Sequence, residues 1–282
     1  MNKISFMTAN YFARQLGYDV GEGDWGHGDR SSQEYFRSAK TFPERFEGYL
    51  KDIQAMGFDT LDLWTGILHP VWATEEHIDA ARRLLKQYRL KVSSLAGYFG
   101  NTADDFEASC SLASELGCEI LGGGCGLLAN REDRMLLIAT LRKYGLRFGY
   151  ENHPEKTPQE ALNKLHLGGD GRRHTDSGED ILGITADTGW WATQGYDAPT
   201  ALRELGPNLI YVHLKDVREV GTHETCRFGE GVANIEGCVQ ALKDIGYTGA
   251  ISVEHEPEHS DPTEDVIASA ALLRQWLGQS EN

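Results

Sequence analysis

The chain has 282 residues, of which 40% are hydrophobic, and these values suit a single α/β barrel with a substantial core rather than a disordered chain. Its formal net charge of −16 at pH 7 argues against a nucleic-acid partner, because binding to a phosphate backbone requires a basic face. No segment approaches the roughly 20 apolar residues that span a bilayer. The 5 cysteines include no CxxC pair, which is typical of reduced thiols. We therefore expect a soluble, cytoplasmic protein without a membrane partner.

The first half of the chain alternates between β-branched apolar runs and amphipathic segments. We predict strands over residues 4–12, 59–64, 91–99 and 119–125. We predict helices over residues 42–56, 74–88, 103–116 and 131–144, with Pro43 in a first turn and Thr74 as an N-cap. Residues 17–40, which are rich in Gly, Asp, Ser and aromatic residues, are predicted to form a long loop or a loop with a short helix.

The same alternation continues in the second half. Predicted strands cover residues 147–153, 181–187, 209–218 and 250–254, and predicted helices begin near 157, 198, 235 and 262. Eight strand–helix units in one chain of this length predict a (β/α)8 TIM barrel, a single domain over residues 1–282. A doubly wound open sheet is the alternative, but no GxGxxG sequence follows the first strand to favour it.

The barrel assignment divides the polar segments between two faces. Segments that follow a strand lie on the catalytic face of such a barrel, and segments that follow a helix lie on the opposite face. Residues 17–40 and 219–233 follow strands, so we expect them to form rim loops around a pocket. His166 and His174 follow a helix, and we expect them to be solvated or capping residues.

Four consecutive predicted strands carry a side chain that can bind a metal at or near their carboxyl ends. These residues are Glu151, Asp187, His213 and Glu254. Three carboxylates and one imidazole form a hard, oxygen-rich ligand set, which favours Mn²⁺ and also suits Mg²⁺, Co²⁺ or Zn²⁺. Three carboxylates that converge without a cation would repel one another, so one bound divalent cation is the better explanation.

Four short motifs resemble the xylose isomerase-like superfamily, which includes sugar phosphate isomerases and epimerases, ketose 3-epimerases, inosose dehydratase and endonuclease IV. The motifs are YENHP at 150–154, ADTG at 186–189, VHLKD at 212–216 and VEH at 253–255. The resemblance implies that Glu151, Asp187, His213 and Glu254 bind one divalent cation. It also implies that Glu151 and Glu254 are catalytic and move protons on opposite faces of the substrate.

Trp190 departs from the pattern of the ketose epimerases that this chain resembles. Those enzymes usually place a substrate-contacting histidine three residues after the aspartate of the sixth strand. An indole at that position suggests a flat sugar ring or a glycoside stacked on Trp190, because carbohydrate C–H faces pack well on aromatic rings. Trp25, Trp64 and Tyr98 are further candidates for such contacts.

Four polar side chains complete the candidate substrate contacts. His153 follows Glu151 by two residues and should share its strand face if the strand continues that far. Lys215, Arg218 and Arg227 are candidates for contacting an anionic or polyhydroxyl ligand.

The sequence therefore predicts a divalent-metal-dependent sugar isomerase or epimerase that acts on a keto-sugar through a metal-stabilised enediolate. The alternative is a metal-dependent dehydratase or lyase acting on a keto-cyclitol or a 3-keto-glycoside. An AP endonuclease is disfavoured by the acidic charge, and a non-catalytic sugar-binding barrel by the presence of both glutamates. The expected partner is a small-molecule sugar, and a homo-oligomer or an accessory subunit stays open.

Overall fold

A computed structural model describes residues 2–21, 25–165 and 181–279. Its strands are β1 Ile4–Met7, β2 Thr60–Trp64, β3 Lys91–Tyr98, β4 Ile120–Gly124, β5 Arg147–Glu151, β6 Leu182–Asp187, β7 Leu209–Val217, β8 Thr225–Cys226 and β9 Ile251–Glu254. They form one sheet in the order β6-β5-β4-β3-β2-β1-β9-β7-β8, and a β6–β7 pairing closes it into a barrel. Among the described strands, only β8 pairs antiparallel, against the end of β7, so the others form the closed parallel ring. The predicted TIM barrel is confirmed.

Helices follow the barrel strands in sequence. They are α1 Trp25–Phe36, α2 Phe42–Ala55, α3 Glu75–Tyr88, α4 Ala103–Glu115, α5 Arg131–Tyr144, α6 Pro158–Leu165, α7 Thr188–Thr193, α8 Ala198–Leu205, α9 Ile235–Asp244 and α10 Thr263–Leu277. Side-chain caps begin several of them: Thr102 accepts a hydrogen bond from the Asp105 amide, and Asn130 accepts one from the Asp133 amide. Each cap satisfies a backbone donor that the helix leaves free.

The strand β7 shows why the parallel ring is stable. All of its residues are buried, as expected for a strand whose one face packs on helices while the other fills the barrel. Phe6 and Phe148 are fully buried in the same hydrophobic core. Burying one such side chain contributes roughly 1.5–3 kcal/mol, so the apolar strands hold the polar strand ends in fixed positions.

Several boundaries differ from the predicted ones. The strand predicted over 4–12 ends at Met7, because residues Thr8–Tyr11 turn into a 3₁₀ helix. The strand predicted over 147–153 ends at Glu151, shortly before Pro154, which has no amide proton for the ladder. Residues 17–40 hold the 12-residue α1. His166 and His174 lie outside the described residues.

Two elements near the carboxyl ends of β6 and β7 are absent from the prediction. The helix α7 contains Trp190 and begins at Asp187, whose side chain accepts a hydrogen bond from the Trp190 amide. The strand β8 turns the segment after β7 into a hairpin. Among the residues that the structure describes, no helix combines the length and apolar character that crossing a membrane requires.

Candidate metal centre

The structure brings Glu151, Asp187, His213 and Glu254 together at the mouth of the barrel. Each offers one ligand atom, and these atoms all lie within 4.8 Å of one another. The strand register explains the meeting, because Asp187 stands beside His213 across the β6–β7 pair. Three of the four residues are buried, and Glu151 is half-buried.

The His213 ring is held between two sets of carboxylates. Its Nδ1 atom lies 2.6 Å from Glu151 Oε1 and 3.2 Å from Glu254 Oε2, while its Nε2 atom lies 2.9 Å from Asp62 Oδ2. The carboxylate of Asp62 also accepts a hydrogen bond from the Ser94 hydroxyl. Nδ1 therefore faces the cluster, and a carboxylate behind Nε2 fixes the ring orientation, as in many metal-binding histidines.

Lys215 extends into the same cluster. Its ammonium lies 3.0 Å from Asp187 Oδ2, 3.0 Å from Glu254 Oε1 and 3.0 Å from Glu256 Oε2. Burial alone would lower the pKa of Lys215, but these carboxylates outweigh it and hold that pKa well above its ordinary value. Burial raises the pKa of Glu256 to about 7. Lys215 is thus a fixed positive charge at the site.

The charges and ligand atoms of this cluster fit a divalent cation. Five carboxylates share the site with one ammonium; they are Asp62, Glu151, Asp187, Glu254 and Glu256. Asp187 Oδ2 and Glu254 Oε2 are buried and accept no well-aligned hydrogen bond from the described residues, although Lys215 lies 3.0 Å from Asp187 Oδ2. Oxygen atoms left with lone pairs free, next to an imidazole, suit Mn²⁺, Mg²⁺ or Zn²⁺.

His153 faces the cluster although it lies beyond the end of β5. Its Nε2 atom is 3.7 Å from Glu151 Oε1 and 3.8 Å from Asp187 Oδ2. The His153 side chain is 42% exposed, and the partial desolvation of its ring would lower its pKa, but the two carboxylates raise it above its ordinary value. For Glu151, the effect of burial is outweighed by His153 and His213, which lower the pKa of its carboxyl group.

Trp190 is packed between two imidazoles. Its ring stacks on that of His223, with ring centres 4.4 Å apart and planes 28° apart, and meets His153 edge to face at 4.8 Å. A face that we expected to be open to a sugar is therefore covered by His223. His223 was absent from the predicted site because it lies in a hairpin without periodic pattern.

The other aromatic candidates differ in the exposure of their side chains and in their contacts. Trp25 donates from Nε1 to Glu256 Oε1 at 3.3 Å, and its ring lies 5.2 Å from that of Trp64, which is 4% exposed. The α1 segment therefore reaches the end of β9. Tyr98 is 51% exposed, and its hydroxyl donates to Asn101.

The structure does not bring the two arginines to the cluster. Arg218 lies 3.3 Å from Glu224 and 3.6 Å from Glu230, and Arg227 lies 2.7 Å from Asp265. The β7–β8 hairpin begins at Arg218, and its side chain is half exposed. These are surface ion pairs, which contribute little to stability.

The site also contains two acidic residues that the prediction omits, Asp62 and Glu256. Asp62 interrupts an apolar strand between Leu61 and Leu63, and a buried charge in such a strand is a signal of a polar partner. Glu256 follows Glu254 by two residues, the spacing that returns a side chain to the same face of an extended chain.

Comparison with known proteins places this fold in a family. The sequence model of the xylose isomerase-like TIM barrel family matches residues 50–276. The uncharacterized protein MJ1311 of Methanocaldococcus jannaschii is 29% identical over 149 residues, which cover 50% of this chain and 46% of that protein. The L-ribulose-5-phosphate 3-epimerase UlaE of Escherichia coli is 36% identical over 70 residues, or 25% of this chain and 23% of the enzyme. The matched segments thus span less than half of these curated relatives.

Solved structures share the fold over nearly the whole chain. An L-ribulose 3-epimerase superposes with a TM-score of 0.68 at 15% identity, covering 99% of this chain and 95% of that chain. The IOLI protein with a binding zinc atom superposes with a TM-score of 0.66 at 15% identity, covering 98% of each chain. At this identity the likeness establishes the fold alone.

Proposed function

The chain belongs to the xylose isomerase-like TIM barrel family, and on that basis we propose that it is a divalent-metal-dependent sugar isomerase or epimerase acting on a keto-sugar. The observation that carries the proposal is the meeting of Glu151, Asp187, His213 and Glu254 within 4.8 Å. The Escherichia coli relative is an L-ribulose-5-phosphate 3-epimerase, which supports a keto-sugar as the substrate class.

The same four residues would hold the cation, with His213 binding through Nδ1 because Asp62 occupies the side of Nε2. A divalent cation bound there would stabilise the negative charge that develops on a ketose oxygen and so acidify the neighbouring C–H group. The carboxylate-rich ligand set favours Mn²⁺, and the zinc atom bound by the IOLI protein makes Zn²⁺ a second candidate.

Glu151 and Glu254 are the proposed proton carriers. They end β5 and β9, and the strands β6 and β7 lie between them in the barrel, so their carboxylates reach the site from different sides. One carboxylate removes a proton beside the carbonyl, and the other returns a proton to the opposite face, which is epimerisation. Return of the proton to the neighbouring carbon is isomerisation.

Lys215 favours a second candidate function, a dehydratase or lyase on a keto-cyclitol or a 3-keto-glycoside. Its buried ammonium is held by three carboxylates at 3.0 Å. After a glutamate has removed the proton beside the carbonyl, the Lys215 ammonium stabilises the negative charge on the departing β-oxygen, which leaves with the proton that the glutamate took up. The products are an unsaturated ketone and water, or the free aglycone.

Metal analysis and solvent exchange test the proposal. We expect about one divalent cation per chain after incubation with Mn²⁺, and we expect Glu151→Gln and Glu254→Gln to abolish turnover, because an amide cannot act as the base. The control is Glu132→Gln, an exposed glutamate in the first turn of α5. A chain that binds no metal at saturating Mn²⁺, or full activity in Glu254→Gln, would refute the assignment.

A ketose panel in deuterated water separates the two candidate reactions. Both remove the proton beside the carbonyl and exchange it with solvent, but only the lyase loses an oxygen atom or an aglycone. Mass spectrometry of the products therefore distinguishes an epimer of unchanged composition from a dehydrated product.

A further inference from the structure

A half-buried imidazole outside the predicted ligand set lies beside the metal centre. His223 sits in the hairpin between β7 and β8, and two backbone hydrogen bonds hold that hairpin. The Arg218 amide donates to the Glu224 carbonyl at 2.9 Å, and the Gly221 amide donates to the Thr193 carbonyl at 2.9 Å. The second bond ties the hairpin to the end of α7, so the position of His223 over α7 is set by the backbone.

Trp190 fixes the orientation of the His223 ring. The two rings stack at 4.4 Å, and Trp190 is itself anchored because its amide donates to Asp187 Oδ1 at 3.1 Å. The edge of the same indole contacts His153, whose Nε2 lies 3.8 Å from Asp187 Oδ2. One indole thus holds two imidazoles beside the metal ligands.

The Nε2 atom of His223 is buried and has no hydrogen-bond partner among the residues that the structure describes. Leaving a buried polar atom unpaired is energetically costly, and His255 Nε2, the other buried histidine nitrogen without a hydrogen bond among the described residues, at least faces the Asp265 carboxylate at 3.3 Å. His77 uses both ring nitrogens, toward Thr74 and the Arg37 carbonyl, and His213 uses both toward carboxylates. An unpaired nitrogen at the mouth of the barrel therefore indicates a contact point for a ligand.

The chemistry of the ring specifies the kind of ligand. Burial, together with the nearby Lys215 ammonium, lowers the pKa of His223 to about 4. A neutral imidazole offers one donor and one acceptor, which complements a hydroxyl group and gives no charge to attract a phosphate.

We propose that His223 is a substrate-contacting residue whose Nε2 atom forms a hydrogen bond with a hydroxyl group of the polyhydroxyl ligand at the metal centre. Trp190 then acts as a positioning residue for His223 and His153. The inference rests on the proposed function, since it requires a sugar at the cluster.

Histidine NMR on the Mg²⁺-loaded protein tests the contact directly. The protein carries ¹⁵N-labelled histidine and is titrated with D-fructose, D-tagatose, L-ribulose and a keto-inositol. We expect at least one sugar to shift the His223 Nε2 signal and the His153 signals with the same apparent dissociation constant. Signals are assigned from the single histidine variants.

Matched variants measure the contribution of the hydrogen bond. His223→Phe keeps a ring for Trp190 but no hydrogen bond, and we expect it to weaken binding of that sugar roughly 3- to 10-fold with Mg²⁺ affinity unchanged. His223→Gln places an amide near the Nε2 position and should restore most of the affinity. His259→Phe is the control, because His259 is exposed and pairs with its neighbour Glu258.

The outcomes separate this inference from the proposed function. Sugars that shift His153 but leave His223 unchanged, or a His223→Phe variant with wild-type sugar affinity, overturn the inference and leave the function intact. A panel that shifts no site histidine and exchanges no proton with solvent overturns the proposed function, and the inference with it.

Discussion

Asp62 controls the orientation of the metal-facing histidine. Its Oδ2 atom lies 2.9 Å from His213 Nε2, and the Ser94 hydroxyl donates to the other carboxylate oxygen. Burial raises the pKa of the Asp62 carboxyl group, although His213 opposes that rise. With a cation bound, an ionised Asp62 would hold a proton on Nε2, so that His213 would bind the cation through Nδ1.

Replacement of Asp62 should weaken metal binding without removing a ligand. We expect Asp62→Ala to lower the affinity for Mn²⁺ by roughly 10- to 100-fold, because the His213 ring loses its partner. Asp62→Asn still accepts the hydrogen bond and should lose less. Isothermal titration with Mn²⁺ measures both.

The matched control is Asp59→Asn, which changes an exposed aspartate that is 3.7 Å from Lys3. It should leave Mn²⁺ affinity unchanged. Wild-type affinity in a folded Asp62→Ala protein would contradict the role of Asp62.

The sequence predicts the candidate ligands better than their surroundings. Asp187 and Glu254 end predicted strands, Glu151 lies two residues before the end of one, and the carboxyl ends of parallel strands meet at one face. Asp62 lies within a strand, where the sequence does not tell which residues face inward. The position of His223 at the site depends on the path of a hairpin, and tertiary contacts determine that path.

At the scale of elements, one buried carboxylate organises the segment after β7. Asp216 accepts hydrogen bonds from the amides of Gly229 at 2.9 Å, Gly231 at 3.1 Å and Ala233 at 3.0 Å. A side chain at Gly231 would place its Cβ 2.2 Å from the Val217 carbonyl oxygen, so this close approach requires glycine. The same segment carries His223.

Loss of this anchor should loosen the segment 219–233. We expect Asp216→Asn to reduce the free energy of unfolding by roughly 2–4 kcal/mol. The side-chain NH₂ group of the variant would face backbone N–H donors whose hydrogen bonds the carboxylate accepts. Urea denaturation measures the loss, and limited proteolysis should cut within 219–233. Asp244→Asn, which breaks the exposed pair with Arg203 at 3.0 Å, should change stability by less than about 1 kcal/mol. Equal stability of the two variants would contradict the anchor.

The elements that the sequence predicts incompletely or misses have physical reasons. The helix α1, predicted only as a possible short helix within a loop, begins Trp25-Gly26-His27-Gly28, and glycine disfavours helix interiors, yet tertiary packing stabilises it. A Cβ on Gly28 would lie 2.4 Å from the Phe12 ring, so a glycine is needed for this packing. The short α7 and the two-residue β8 are too brief to show a hydrophobic period.

At the scale of the whole molecule, His255 lies where the barrel closes. Its amide donates to Asn10 Oδ1 at 2.8 Å, and Asn10 Nδ2 donates to the Val253 carbonyl at 3.1 Å, which joins the chain after β1 to β9. The His255 ring pairs with the Thr225 hydroxyl at 3.0 Å beside β8. Burial lowers its pKa to about 4, although Asp265 at 3.3 Å favours the proton.

This lowered pKa makes the stability of the barrel depend on pH. The unfolded chain binds a proton on His255 below a pH of about 6.5, whereas the folded chain excludes it until a pH of about 4, so stability falls as the pH drops through that window. Linkage gives a loss of roughly 2 kcal/mol between pH 7 and pH 5 from this one group. Urea denaturation of metal-free protein at the two pH values should therefore show a smaller pH-dependent loss in His255→Asn than in wild type, by about that amount.

His259→Asn changes an exposed histidine and should keep the wild-type dependence. Equal pH dependence in wild type and His255→Asn would mean that His255 is protonated in the folded barrel, and that the closure of β1 on β9 tolerates a buried charge.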